Sequence, residues 1–226
     1  MKAWTIAELL KVSAEYLKEK GIDSPRLSAE ILLAHQLHVP RINLYLRYDQ
    51  PLTDPEVEGY RALIRRRLSR EPVQYITGTQ EFWSMTFAVE PPVLIPRPET
   101  EVLVEQALVL RQENPSLQRE GVRLLDLGTG CGVLAVTLAR EFEKALICAT
   151  DLSEEALQVA RRNAERLGVK ERIDFRCGDW FAPFAGDATR FDMILSNPPY
   201  IPSAEIDRLQ AEVSRYEPRS ALDGGA

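Results

Sequence analysis

Through the first 72 residues the apolar positions recur every three or four places, the spacing of a buried helix face. Ile6, Leu9, Leu10 and Leu17 follow a capping box made by Thr5 and Glu8, and Gly21 supplies the stop. A second helix is predicted from Ser24 and Pro25, with proline at its favoured first position and Leu27, Ile31, Leu32 and Leu37 along it. The third, "TDPEVEGYRALIRRRLSREP", is capped at Thr53 or Asp54 and closed by Pro72. A small helical bundle over residues 1–72 follows from these three signals.

From residue 73 the pattern changes. In "VQYITGTQEFWSMTFAVEPPVLIPRPET" β-branched and aromatic residues replace helix formers and proline accumulates at the end, so residues 73–97 are expected to form a β-hairpin and a stiff linker. A helix resumes at "ETEVLVEQALVLRQE". Strands and helices then alternate: "VRLLDLG", "VLAVTLAREF", "ALICATD", "SEEALQVARRNAERLG", "RIDFRCGD" and "FDMILSN". Alternation of this kind predicts an α/β domain over residues 98–226 with a parallel, doubly wound, Rossmann-like sheet, whose ligands sit outside the carboxyl ends of the strands.

Polar signatures fall at those strand ends. "DLGTGCG" (residues 126–132) leaves the first strand and opens a helix, and its glycines allow a tight turn and close approach of a ligand. Gly130, Gly132 and Ala135 also satisfy the dinucleotide pattern GxGxxA, so NAD has to be weighed. Asp151, ending the second strand, suits the ribose hydroxyls of either cofactor. After the third strand Asp179 could accept from an adenine amino group, and Trp180 could offer the ring a flat face or simply fill the core. After the fourth, "LSNPPYIPS" places two prolines directly behind Asn197; lacking N–H groups and fixed in φ, they hold that amide rigidly. The four strand ends together favour S-adenosylmethionine over NAD.

Composition narrows the field further. The net charge of −6 is uneven: residues 1–75 hold 12 basic and 10 acidic residues, residues 76–226 hold 16 and 24. An acidic larger part argues against gripping a nucleic-acid backbone. The opening "MKAWTIAELLKVSAEYLKEKG" has no long apolar core, so neither signal peptide nor membrane span is read there, and a cytoplasmic location is expected. Cys131, Cys148 and Cys177 are widely spaced without a neighbouring histidine, which points to buried thiols and to no disulfide framework or zinc site. His35 and His38 are read as structural or surface residues. The basic cluster Arg61, Arg65, Arg66, Arg67 and Arg70 could meet an acidic protein or RNA, but a solvated helix face is favoured.

"DLGTGCG", "NPPYIP" and the upstream "LIPRPETE" together resemble the HemK/PrmC family of protein-glutamine N5-methyltransferases, which modify the GGQ glutamine of peptide-chain release factors. The resemblance runs from the helical N-terminus to "EPRSALDGGA". "NPPY" alone is shared with amino-directed DNA and RNA methyltransferases; "LIPRPETE" and the helical segment narrow it. The resemblance implies that Gly128, Thr129, Gly130, Cys131, Gly132, Asp151 and Trp180 contact S-adenosylmethionine (product S-adenosylhomocysteine); Asp179, read above as an adenine acceptor, is expected to join them, with Asn197 beside it. It also implies that Asn197, Pro198, Pro199 and Tyr200 hold the glutamine. Asn197 Oδ1 and the Pro198 carbonyl would accept from the substrate NH2, and Tyr200 would pack on the flat amide. A monomer acting on release factors is expected, recognised by the helical segment, with no membrane, metal or direct nucleic-acid substrate. Alternatives are a ribosomal-protein glutamine or nucleic-acid adenine methyltransferase and, outside the enzymes, a nucleotide-binding module. Family members continue after "DGG" with a helix and further strands completing a seven-stranded sheet. Only four parallel strands are countable here, so the sheet is expected to be incomplete at its C-terminal side, with "FDMILSN" at an open edge.

Overall fold

The computed structural model describes residues 4–226. The chain forms two compact units, one running to Thr77 and including Ala211–Tyr216, the other comprising Gly78–Gln210 and Glu217–Ala226.

The first unit is helical. Helix α1 (Ile6–Glu19) begins at the expected capping box: the Glu8 N–H donates to Thr5 Oγ1 at 3.3 Å and the Thr5 N–H to Glu8 Oε2 at 3.2 Å. Helix α2 (Pro25–Leu37) starts at proline and ends at His38, which takes the left-handed cap conformation with φ 52° and so has a structural role. A short α3 (Ile42–Leu46) precedes α4 (Asp54–Leu68), whose cap is Thr53 paired with Glu56. Leu17, Leu32, Leu33, Leu44 and Tyr60 are fully buried among these helices. The extended stretch expected from residue 73 begins only at Thr79, because Val73–Thr77 forms one more helical segment, α5. Its Tyr75 and Ile76 are buried, so packing overrides the β propensity of Val-Gln-Tyr-Ile-Thr. The arginine cluster is a solvated face at Arg61, Arg65 and Arg66 but not at Arg67 and Arg70. Arg61 and Arg65 pair with Glu58, Arg66 with Glu71, and Arg67 and Arg70 with Glu212. Arg67 is buried, and Tyr216 donates to the Ser69 carbonyl at 2.8 Å, which fastens Ala211–Tyr216 to α4.

The second unit opens with a hairpin, β1 (Thr79–Phe82) against β2 (Met85–Ala88), turned by Trp83 and Ser84 at φ 50° and 56°. After α6 (Glu101–Glu113) come β3 (Arg123–Leu127), α7 (Val133–Glu141), β4 (Leu146–Asp151), α8 (Glu154–Arg166), β5 (Ile173–Cys177) and β6 (Met193–Ser196). All four strands of this sheet are parallel, in the order β5-β4-β3-β6. Helices α7 and α8 pack on the sheet. Leu125, Leu127 and Cys148 on the other face meet Phe184 and Phe191 from the β5–β6 connection, which contains only a 3-10 turn. A parallel pair, β7 (Ile201–Pro202) and β8 (Asp223–Gly225), lies beyond β6.

Both sheet ends show the cost of an edge position. Strand β6 is terminal, as expected of "FDMILSN": Leu195 is buried while Ile194 is 49% exposed. Cys177, expected to be buried, is exposed because β5 is the opposite edge; Cys131 and Cys148 are buried as expected.

One side chain of α8 ties the hairpin to the loop after β3. Asn163, fully buried, accepts from the Ala88 N–H at 2.7 Å and donates to the carbonyls of Ala88 at 3.0 Å and Cys131 at 2.8 Å. Asn163→Ala strands three backbone groups, that of Cys131 buried and the two of Ala88 partly so, and should cost about 2–4 kcal/mol in urea unfolding. A loss below about 1 kcal/mol would mean those groups find other partners.

Candidate active site

Register decides what meets at the carboxyl edge of the sheet. Leu127 pairs with Ser196 on β6 and with Thr150 on β4. The next residues, Gly128 and Asn197, therefore leave neighbouring strands side by side, although they are far apart in the chain. The strand order reverses here: β4 and β5 extend one way from β3, and β6 lies on the other side, the topological switch point where open parallel sheets bind ligands. The Ser196 hydroxyl donates to the Leu127 carbonyl at 2.8 Å and closes the ladder.

A cavity of about 330 Å³ opens there. Its wall includes Gly128, Thr129, Gly130, Cys131, Asp151, Asp179, Trp180, Asn197, Pro198 and Pro199, which brings most of the expected site together. Two expected residues stand outside this wall. Gly132 does so because a side chain there would meet Ala160 of α8, with Cβ–Cβ at 3.1 Å; its role is to let the helix approach. Tyr200 is 74% exposed and is not among the residues of this wall. Trp180 is no core residue: it is 53% exposed, borders the cavity, and holds φ 44°, an outlier for a bulky side chain.

The loop after β3 is ordered by two acids. Asp126 is fully buried, and its Oδ2 accepts from the Thr129 hydroxyl at 2.7 Å and the Ala135 N–H at 3.1 Å, while Oδ1 has no partner. Burial pushes its pKa from 3.8 up to about 7, helped slightly by Asp151 and opposed by those two hydrogen bonds. Asp151 accepts from the Gly130 N–H through Oδ2 and from the Ser153 N–H through Oδ1, both at 2.9 Å. A carboxylate has about four acceptor positions, so capacity remains for hydroxyl donors. The N–H groups of Gly128 and Thr129 both donate to the Thr150 carbonyl at 2.9 Å. With Gly130 also engaged, the loop presents few of the free backbone donors that a pyrophosphate needs. At Gly128 and Gly130 a Cβ would enter open space, at φ 75° and 55°, so the backbone of both is left uncovered on the cavity side. Burial also raises the Cys131 thiol to about 12, leaving it no nucleophile.

Opposite stands a wall that motif reading did not assign: Pro92, Leu94, Pro96 and Thr100 from the proline-rich stretch, and Ser220, Ala221 and Asp223 from the C-terminal one. Glu217 joins the two stretches. Its side chain, 1% exposed, accepts from the Arg97 guanidinium at 2.6 Å and from the Ile95 N–H at 3.3 Å. Burial raises its pKa and Arg97 opposes the rise. Asn197 Nδ2 donates to Thr100 Oγ1 at 3.2 Å. Gly224 is pressed against the proline turn: a Cβ there would lie 2.8 Å from Tyr200 Cα and 3.0 Å from the Pro199 carbonyl oxygen. The only sequence signals for this wall were the prolines and "LIPRPETE".

Two family models match the chain, the PrmC N-terminal domain over residues 8–78 and the methyltransferase small domain over residues 103–213. The release factor glutamine methyltransferase of Chlorobaculum tepidum is 48% identical over 223 residues, covering 98% of this chain and 76% of the relative. That of Geobacter sulfurreducens is 46% identical, covering 99% and 75%, and that of Rhodopirellula baltica 40%, covering 98% and 74%. The chain belongs to the release factor glutamine methyltransferase family. As a member it is an S-adenosylmethionine-dependent enzyme with a helical N-terminal region and a Rossmann-like methyltransferase fold. Neither the nucleic-acid nor the non-enzymatic alternative is favoured. Among the described residues of this methyltransferase no helix is long and apolar enough to cross a membrane.

The buried acid of the methyltransferase loop has a thermodynamic signature. The folded protein holds a proton on Asp126 up to about pH 7, whereas the unfolded chain releases it near 3.8. Its contribution to stability is therefore fully present below the lower value, falls as pH rises between the two, and is gone above the upper one. Asp126→Asn removes this slope. Urea unfolding from pH 4 to 8 should show the variant gaining on the parent by up to about 1.4 kcal/mol per pH unit until about pH 7, then levelling. A pH-independent difference would return Asp126 to an ordinary pKa.

Proposed function

We propose that Asn197 and the Pro198 carbonyl bind the side-chain amide of a release factor's GGQ glutamine while the neighbouring loop holds S-adenosylmethionine. The side-by-side exit of Gly128 and Asn197 from paired strands into one cavity carries this reading. S-adenosylmethionine, when bound, supplies an electrophilic sulfonium methyl. Gly128 and Gly130 leave room for its apolar and cationic part, Asp151 accepts from ribose hydroxyls, and Asp179 and Trp180 meet the adenine edge and face. The thiol of Cys131 does no more than fill the wall.

An amide nitrogen is a poor nucleophile because its lone pair is delocalised into the carbonyl. Two acceptors, Asn197 Oδ1 and the Pro198 carbonyl, fix the orientation of the NH2, disfavour that delocalisation as the nitrogen pyramidalises, and stabilise the positive charge that develops on it. The two prolines keep the backbone that carries both acceptors preorganised. Tyr200, exposed at the rim, covers the glutamine side chain once a protein substrate arrives. The helical unit recognises the release factor, and the enzyme works as a cytoplasmic monomer on protein and not on nucleic acid or membrane.

Labelled methyl from S-adenosylmethionine should appear on a release factor and not on the same factor with its GGQ glutamine replaced; label on both would move the acceptor elsewhere. Asn197→Ala should lower kcat by about 100-fold or more while cofactor affinity stays within a few-fold. Equal losses of rate and cofactor affinity would assign Asn197 to the wrong ligand. Asp151→Ala should do the reverse, weakening S-adenosylmethionine by roughly 10-fold or more in calorimetry through loss of a charge-assisted acceptor. Unchanged affinity would exclude the ribose contact.

A further inference from the structure

We propose that Thr100 is a positioning residue for methyl transfer, its hydroxyl oxygen accepting from Asn197 Nδ2 and so presenting Oδ1 of that amide to the acceptor glutamine. The proposal rests on the glutamine methyltransferase reading and adds to it a residue from a different part of the chain. A primary amide carries a donor end and an acceptor end of nearly the same shape, and a half-turn about its last torsion exchanges them. Only the oxygen can accept from a substrate NH2; with Nδ2 facing the substrate, donors would meet donors. The prolines behind Asn197 fix its backbone but leave that torsion free. The 3.2 Å hydrogen bond to Thr100 engages the nitrogen of this side chain.

Thr100 is itself held firmly. It is 7% exposed and lines the cavity, and its N–H donates to the Arg97 carbonyl at 3.0 Å. Pro96 and Pro98 flank Arg97, whose guanidinium is anchored on buried Glu217, and Glu217 also takes the Ile95 N–H. The stiff stretch that sequence alone reads as a linker thus ends in a hydroxyl fixed opposite the catalytic amide.

The test compares Thr100→Val, which keeps the shape without the hydroxyl, Thr100→Ser, which keeps the hydroxyl, and Thr100→Ala, all in the full chain. Steady-state methylation of a release factor and calorimetry with S-adenosylmethionine are the readouts. Thr100→Val and Thr100→Ala should each lose about 10-fold in kcat, the worth of roughly one neutral hydrogen bond. KM for the release factor and Kd for the cofactor should stay within about 2-fold, and Thr100→Ser should restore kcat to within about 2-fold of the parent. Wild-type kcat in Thr100→Val, an equal defect in Thr100→Ser, or a loss confined to KM would overturn the proposal while leaving the reaction assignment intact. Should Thr100→Val fail to fold, the Ala and Ser pair makes the same comparison. A parent enzyme that labels no release factor glutamine would instead defeat the reaction assignment, and this proposal with it.

Discussion

The pairing of β3 with β6 is the constraint on which the site depends. Leu127 and Ser196 are 69 residues apart in sequence, and nothing local holds the glycine loop near the proline turn. Parallel register does so, because each backbone group of one strand finds its partner only when Leu124 faces Met193 and Leu127 faces Ser196. A slip by one residue would exchange the buried and exposed faces of Met193–Ser196 and carry Asn197 away from Gly128. Fold stability and site geometry are therefore enforced by the same hydrogen bonds.

Buried and half-buried acids then shape what the sheet brings together. Asp126, Asp151 and Glu217 each bind backbone N–H groups or a hydroxyl where a loop would otherwise have no fixed conformation. Desolvation opposes charge on Asp126 and Glu217, and the two are answered differently. Glu217 has a guanidinium partner, so its charge is compensated where two wall segments meet. Asp126 has none, and the low-dielectric answer is a carboxyl whose pKa has risen towards neutrality. An uncharged group at that point adds no negative field to that of the acids bordering the cavity, Asp151, Asp179 and Asp223.

What sequence made legible was whatever is local. The capping box Thr5/Glu8, the cap at Thr53, the proline starting α2 and the alternation of strands and helices each depend on residues a few places apart, and each stands where expected. Motif spacing also placed Gly128, Asp151, Asp179 and Asn197 at strand ends. It could not tell Gly132 from its neighbours, because the reason for that glycine is Ala160 on another helix. Nor could it show that Arg67 would be buried on Glu212, 145 residues away, or that Thr100 would reach Asn197 across 97. Val73–Thr77 misled for the opposite reason: five residues with strand propensity are too few to resist the packing of Tyr75 and Ile76.

Proline supplies the remaining order. Pro96 and Pro98 precede Thr100, and Pro198 and Pro199 follow Asn197, so both partners of one hydrogen bond sit on chain with few conformations to lose. Proline lacks an N–H but keeps its carbonyl, so a turn of two prolines exposes acceptors without adding donors. That asymmetry suits a substrate whose reacting group is an NH2. Gly224 completes the arrangement from behind: only a residue without Cβ allows β8 to lie against the Pro199 carbonyl and Tyr200, and the β7–β8 pairing then supports the turn. Rigidity at this site comes from residues that lack something, an N–H or a side chain, placed where contacts from other strands define the shape that remains.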